Sequence, residues 1–490
     1  MKRLITSILV AAMAFASHTA MADNISLEQA KDAAAHYLAH NTVYTDLTAN
    51  DLTLVHQIIN PDLDIPAVYF FNTNKESAWI IFAASTVIDP VIAYSGESGL
   101  DMDNLAPAMR WWVDGYANVV SDVQKLDAEN KYPDSEQWIM LQKHALKGST
   151  KGDGDHKWMN EKWDQGDENN PTYNRLCPEL DGQTCIVGCG ATAMSQICHY
   201  YRYPKQPVGT PNYAWNGRFL KLSFDTVHFD YSKMPDKLTS SSTEEEVYQV
   251  ALLSWATGMA MRMNYGTAEG SGVDPRAIPL GMAQYYKYTE GTFTLRNGNG
   301  EDTAFIGKIR RQLIDEDVLC MGGSDPGGSG RDAGGHAWVV CGYRESNEKE
   351  YYMNWGWGGP RTGDGWYNLA DNNLRVSGSG YYFYANQHVV VGQTPPEDSN
   401  IHHPHVGVVC PVENSSVLGS AYPNPASMSV VLPYQTSENS ELCVYSIDGK
   451  LVESRKVAAG NGSVTLKVDQ MPAGIYIYRL NNATGKFVVK

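Results

Sequence analysis

The chain has 490 residues, 43% of them hydrophobic, and a formal net charge of −17. That length exceeds one ordinary core and implies several domains. The negative field repels polyanions, so nucleic acid is excluded as a natural partner.

The first residues, MKRLITSILVAAMAFASHTAMA, set Lys2 and Arg3 before an apolar run and end in Ala20-Met21-Ala22, a small-x-small cleavage pattern. The spacing predicts a signal peptide over 1–22 and an exported protein. The apolar run is too short to span a bilayer easily, and no later segment reads as a membrane span. Residues 26–38, SLEQAKDAAAHYL, read as an N-capped amphipathic helix. AVYFFN (67–72) and AWIIFAAS (78–85), separated by a polar pentapeptide, read as a hairpin. Helical periodicity resumes over 104–126 and 135–146, and KGSTKGDGDH (147–156) reads as a cleavable loop.

From about 155 to 395 helical and strand patterns mix, as in an α+β domain. A Pro, Asp and His-rich stretch containing IHHPH (401–405) marks a linker. Residues 421–490 alternate short strands with Asp-Gly, Asn-Gly and Pro-Ala-Gly turns, the pattern of a small all-β sandwich.

Eight cysteines in 490 residues are too sparse for a disulfide scaffold, although Cys177 and Cys185 could bridge. No CxxC, HExxH or Walker motif occurs, so no metal or nucleotide cofactor is expected. Cys189 stands between Gly188 and Gly190, at the start of a run with helical spacing that should stop before Pro204. A thiol there meets unpaired N–H groups and the positive end of the helix dipole, which favour the thiolate. Cys198 falls several turns further on and reads as a buried hydrophobe. The matching base is His336, which opens the strand-like HAWVVCGY after a loop holding Gly322, Gly323, Gly327, Gly328, Gly330, Gly334 and Gly335.

Four stretches, KWDQGDENNPTYNRLCP (162–178), GCGATAMSQICHYYRYP (188–204), GGHAWVVCGY (334–343) and YYMNWGWGGPRTGDGWYNL (351–369), together resemble the streptopain-like cysteine peptidases, secreted zymogens of papain-like fold. The resemblance covers about residues 25–393. It implies that Cys189 is the nucleophile, His336 the general base, and Gln165 the side-chain donor to the oxyanion. Within NWGWGG, Asn354 or Trp355 would orient the imidazole, with Trp355 favoured, and Trp357 would shield it from water. Gly190 departs from the family pattern, in which a valine follows the nucleophile, and should loosen the helix entrance. The resemblance also makes residues 23–150 an inhibitory pro-segment that holds the histidine away from productive geometry. Residues 151–395 would be the catalytic domain, 396–420 a linker and 421–490 a sandwich.

The C-terminal stretch, with YPNPA, GIYIYRL and KFVVK, is similar to the sorting domain of the type IX secretion system. It implies that secretion machinery as a partner and a secreted or cell-surface location; the other reading is a carbohydrate- or protein-binding module. The leading function is therefore a secreted cysteine endopeptidase made as a zymogen, with protein or peptide substrates. The alternatives are a Cys/His amidase or transglutaminase, which would usually want an Asp orienter, and an inactive or adhesin-like surface protein.

Overall fold

The computed structural model describes residues 24–130, 132–144, 155–167, 169, 171–267, 270–296, 303–324, 335–369, 387–396, 417–418, 421–436, 439–447, 450–480 and 483–490. The expected signal peptide lies outside them, as do most of the 147–156 loop, Gly327, Gly328, Gly330 and Gly334 of the glycine-rich loop, and IHHPH. Two compact units divide at residues 405 and 406.

The first unit opens with α1 (Leu27–Asn41), whose start is fixed by a capping box between Ser26 and Gln29. Strands β1 (Leu52–Asn60), β2 (Ile65–Thr73), β3 (Trp79–Ala83) and β4 (Val91–Ser95) follow as an antiparallel meander. The expected hairpin is β2–β3. Next come α2 (Pro107–Asn130), α3 (Glu136–Gln142) and the short β5 (Asp155–Lys157). Apart from two small hairpins (Glu179–Leu180 with Gln183–Thr184, and Asn212–Trp215 with Arg218–Lys221), the main elements that follow are α4 (Cys189–Tyr201), α5 (Glu244–Ala260), α6 (Ala277–Tyr286), β6 (Thr292–Leu295), α7 (Thr303–Ile314), β7 (Leu319–Ser324), β8 (Gly335–Arg344), β9 (Glu350–Asn354), β10 (Gly365–Asn368) and β11 (His388–Val391).

The numbered strands join one sheet in the order β1-β2-β3-β4-β10-β9-β8-β7-β11-β6, with β5 on β8. The N-terminal meander and the later strands are thus continuous through Tyr94 opposite Trp366 and Ala93 opposite Tyr367. Strand alternation sorts the core into two layers. Trp338, Val340, Met353, Trp355 and Tyr367 lie on one face with Trp112, Tyr116 and Val120 of α2. Ala337, Val339, Cys341 and Tyr352 lie on the other with Ala193, Met194 and Ile197 of α4. The first of these faces is covered by α2 together with Phe305, Ile309 and Leu313 of α7.

In the second unit Ser429–Thr436 pairs with Gly460–Lys467, and Leu451–Val457, Ser440–Ser446, Gly474–Leu480 and Ala483–Val489 form a four-stranded antiparallel sheet. Val430, Leu432, Leu442, Val444, Tyr476 and Phe487 fill the core between them. This is the all-β sandwich expected. The α+β class with its flanking parts is the one found.

Candidate active site

Cys189 is the first residue of α4, and Gly188 before it has φ +88°, where a Cβ would lie 2.8 Å from the Ser271 carbonyl oxygen. Only glycine turns the chain into the helix there. Gly190 does not leave the entrance loose: a Cβ on it would come within 2.7 Å of Cγ1 of Val273, so Val273 fills the space that a side chain would use. Cys198 is fully buried.

The WDQG segment lies beside this helix start. The Val187 N–H, two residues before the cysteine, donates to the Gln165 carbonyl at 2.9 Å, and the Trp163 N–H donates to Gln196 Oε1 of α4 at 3.2 Å. Gln165 itself is buried. The backbone at Gln165 is therefore tied to the chain two residues before Cys189.

His336 is placed differently. It stands opposite Gly323, and a Cβ on Gly323 would fall 2.5 Å from the Trp111 ring of α2. Alternation along β8 puts His336 on the same face as Trp338, the α2 face, whereas Cys189 packs against the α4 layer and receives the Ala337 backbone N–H. Among the described residues no hydrogen bond joins the two.

The protonation tendencies agree with this separation. Burial pushes the Cys189 thiol up, against the pull of the backbone N–H groups of Ala337, Gly190 and Cys189 itself. That reverses the expectation of a lowered thiol pKa, because desolvation outweighs the helix terminus. Burial pushes His336 down. Thiol and imidazole are thus both held neutral.

Asn354 and Trp355 separate in the same way. Asn354, opposite Val339, points to α4, where its amide donates to the Glu161 carbonyl at 2.6 Å and exchanges hydrogen bonds with Gln196 at 3.1 Å in both directions. Trp355 lies on the His336 face, with ring centroids 4.9 Å from Trp338, 5.1 Å from Tyr367 and 6.2 Å from Trp112. Trp357 is partly buried against the same layer. Cys177 and Cys185 do not bridge: both are free thiols, and both are buried.

Sequence reading missed Asp364. Its carboxylate accepts the Trp355 N–H at 2.8 Å, and burial pushes its pKa up to about 7. In TGDGW it has the look of a turn residue, and nothing local marks it as buried. The loop containing it is held by the N-terminal region: Trp79 Nε1 donates to the Pro360 carbonyl at 3.0 Å, and the N–H groups of Asp101 and Ala106 donate to the carbonyls of Arg361 and Thr362 at 2.8 and 2.9 Å. Further out, Arg344 reaches Asn41 Oδ1 at 2.8 Å, and Glu350 accepts from Tyr37 and from Tyr94.

Comparison with known proteins matches residues 163–367 to the peptidase C10 family, 22–120 to the Spi protease inhibitor family and 420–490 to the secretion system C-terminal sorting domain. Residues 163–367 are a peptidase C10 region. It is 24% identical over 402 residues to streptopain of Streptococcus pyogenes serotype M1, covering 75% of this chain and 91% of that one. It is 25% identical over 341 residues to the thiol protease/hemagglutinin PrtT of Porphyromonas gingivalis, covering 67% of this chain but only 37% of that protein. A solved prointerpain A fragment from Prevotella intermedia has the same fold, with TM-score 0.55, 23% identity, and coverage of 70% of this chain and 99% of that one. The peptidase region is thus a streptopain-like cysteine peptidase preceded by a pro-segment. The sorting domain marks the chain for export to the cell surface or the medium. No described helix is long and apolar enough to cross a membrane.

Proposed function

We propose that the chain is the latent precursor of a secreted cysteine endopeptidase in which Cys189 attacks the scissile carbonyl of a protein substrate. His336 takes the thiol proton and later gives it to the leaving amine. The Gln165 amide and the Cys189 N–H stabilise the oxyanion. Trp355 orients the imidazole and Trp357 keeps water from it, while the Asn354 amide serves elsewhere. Residues 23–150 are the inhibitory pro-segment, 151–395 the catalytic domain, 396–420 the linker and 421–490 the sorting domain read by type IX secretion machinery.

The observation that carries this reading is the seating of Gln165 against the start of α4, through the Val187 N–H to Gln165 carbonyl bond of 2.9 Å. Latency follows from the sheet. While α2 covers one face, His336 is held on that face and Cys189 on the other. Cutting the chain before Asp155 frees α2 to leave, and the imidazole then has room to turn to the thiol. Because β5 begins at Asp155 and is paired to β8, the cut falls before it, which narrows the expected window at its C-terminal end. The test is the Cys189→Ala precursor. It should fold, hydrolyse no casein, and be processed only when wild-type enzyme is added in trans; self-cleavage by the purified variant would overturn the assignment.

A further inference from the structure

We infer that Gln196 and Asn354 are a positioning pair, a buried amide couple that fixes the oxyanion segment, the nucleophile helix and the tryptophan turn relative to one another. The inference rests on the roles proposed above for Cys189 and Gln165. Gln196 follows Cys189 by seven residues, two helical turns, so it lies on the same stripe of α4. Its Nε2 donates to Asn354 Oδ1 at 3.1 Å, and Asn354 Nδ2 donates back to Gln196 Oε1 at 3.1 Å. Further hydrogen bonds of both amides go to the backbone of the other reactive segments. Gln196 Oε1 accepts from the Trp163 N–H at 3.2 Å, two residues before Gln165. Asn354 Nδ2 donates to the Glu161 carbonyl at 2.6 Å, and Asn354 Oδ1 accepts from the Gly356 N–H at 3.0 Å, next to Trp355. Gly356 can approach because it lacks a side chain: with φ +67°, a Cβ there would lie 2.9 Å from the Thr192 methyl.

Both side chains are buried, Gln196 wholly and Asn354 to 3% exposure. Apolar side chains would hold the helix to the sheet as well as two amides do. What the amides add is direction, since each hydrogen bond fixes a segment along one axis in a dry interior. The neighbouring Glu161 and His199 reinforce the arrangement, with the carboxylate 2.6 Å from His199 Nδ1. Asp236 brings a third potential metal ligand near them, but His199 Nε2 already faces the Met234 carbonyl at 2.9 Å and the Arg202 guanidinium, so the cluster reads as structural.

A misplacement of the oxyanion donor by about 1 Å costs on the order of 10² in rate. It acts on the transition state and leaves ground-state binding in place. Gln196→Met keeps the length of the side chain and removes its hydrogen bonds. Full-length precursor carrying it, matured in trans by wild-type enzyme and quantified by active-site titration, should lose about tenfold to a hundredfold in kcat per titrated site on a fluorogenic peptide. KM should stay within threefold. The reciprocal swap Gln196→Asn with Asn354→Gln conserves the combined length of the pair and should be more active than Gln196→Asn alone. A purely structural role would lower the unfolding midpoint and the titrated fraction without touching kcat per site. Unchanged kcat in Gln196→Met, or a loss confined to KM, overturns the inference. Should that variant fail to fold, the swap decides: activity no higher than that of Gln196→Asn alone overturns it, and rescue supports it. A wild-type protein that neither hydrolyses peptide nor titrates at Cys189 overturns the peptidase reading and this inference together, whereas an active wild type with an indifferent Gln196→Met sinks only the inference.

Discussion

Replacing Asp364 by asparagine should stabilise the precursor at pH 8 far more than at pH 5. The wild-type carboxyl is 2% exposed, and burial raises its pKa from 3.8 to about 7. An acid with a raised folded pKa keeps its proton after the unfolded chain has released it, so stability is lost as pH climbs from 3.8 towards 7 and is constant above that. About three units at 1.36 kcal/mol each amount to about 4 kcal/mol at pH 8, against about 1.5 kcal/mol at pH 5. Asparagine still offers an oxygen to the Trp355 N–H, which Asp364 Oδ1 accepts at 2.8 Å, and it carries no charge to desolvate. The stability gap between variant and wild type should therefore widen by about 3 kcal/mol between pH 5 and pH 8. Urea unfolding in a Cys189→Ala background, followed by near-ultraviolet circular dichroism, measures it without self-cleavage. A gap that is the same at both pH values, or larger at pH 5, would refute the buried-acid argument.

Gln165→Ala should lower kcat by about 10–10³ with KM nearly unchanged, as loss of a transition-state donor does; steady-state kinetics showing a change in KM alone would make Gln165 a binding residue instead. Trp112 is wholly buried against Trp338, Trp355 and Tyr367. Trp112→Ala should cost the precursor about 3–5 kcal/mol and speed maturation in trans; an unchanged maturation rate by gel densitometry would show that α2 does not hold the latent state.

The candidate residues stand out in the sequence because their signals are local. Cys189 has its flanking glycines and the helical run after it, and Gln165, His336 and Trp355 each sit in a short motif. What the sequence could not show depends on register. Whether His336 faces Cys189 or α2 is decided by its pairing with Gly323, and Asn354 turns to α4 because it stands opposite Val339. A slip of one residue would exchange both faces. The continuity of the pro-segment meander with the peptidase sheet rests on Tyr94 meeting Trp366, a pairing between distant stretches that no local pattern announces. The same applies to the thiol: helix placement was readable, but burial, which reverses its effect, belongs to the tertiary structure.

The most direct test of the latent peptidase is the pH dependence of Cys189 alkylation by iodoacetamide, located by mass spectrometry, in the precursor and in the enzyme matured in trans. In the precursor, burial holds the thiol above its ordinary value of 9.0, so the rate should be slow at neutral pH and rise only in alkaline solution. After maturation, with His336 free to pair, the same cysteine should react rapidly well below pH 7, while Cys198, Cys320 and Cys341 stay unlabelled in both forms. Identical pH profiles before and after maturation, or a matured enzyme whose Cys189 reacts only in alkaline solution, would contradict the account.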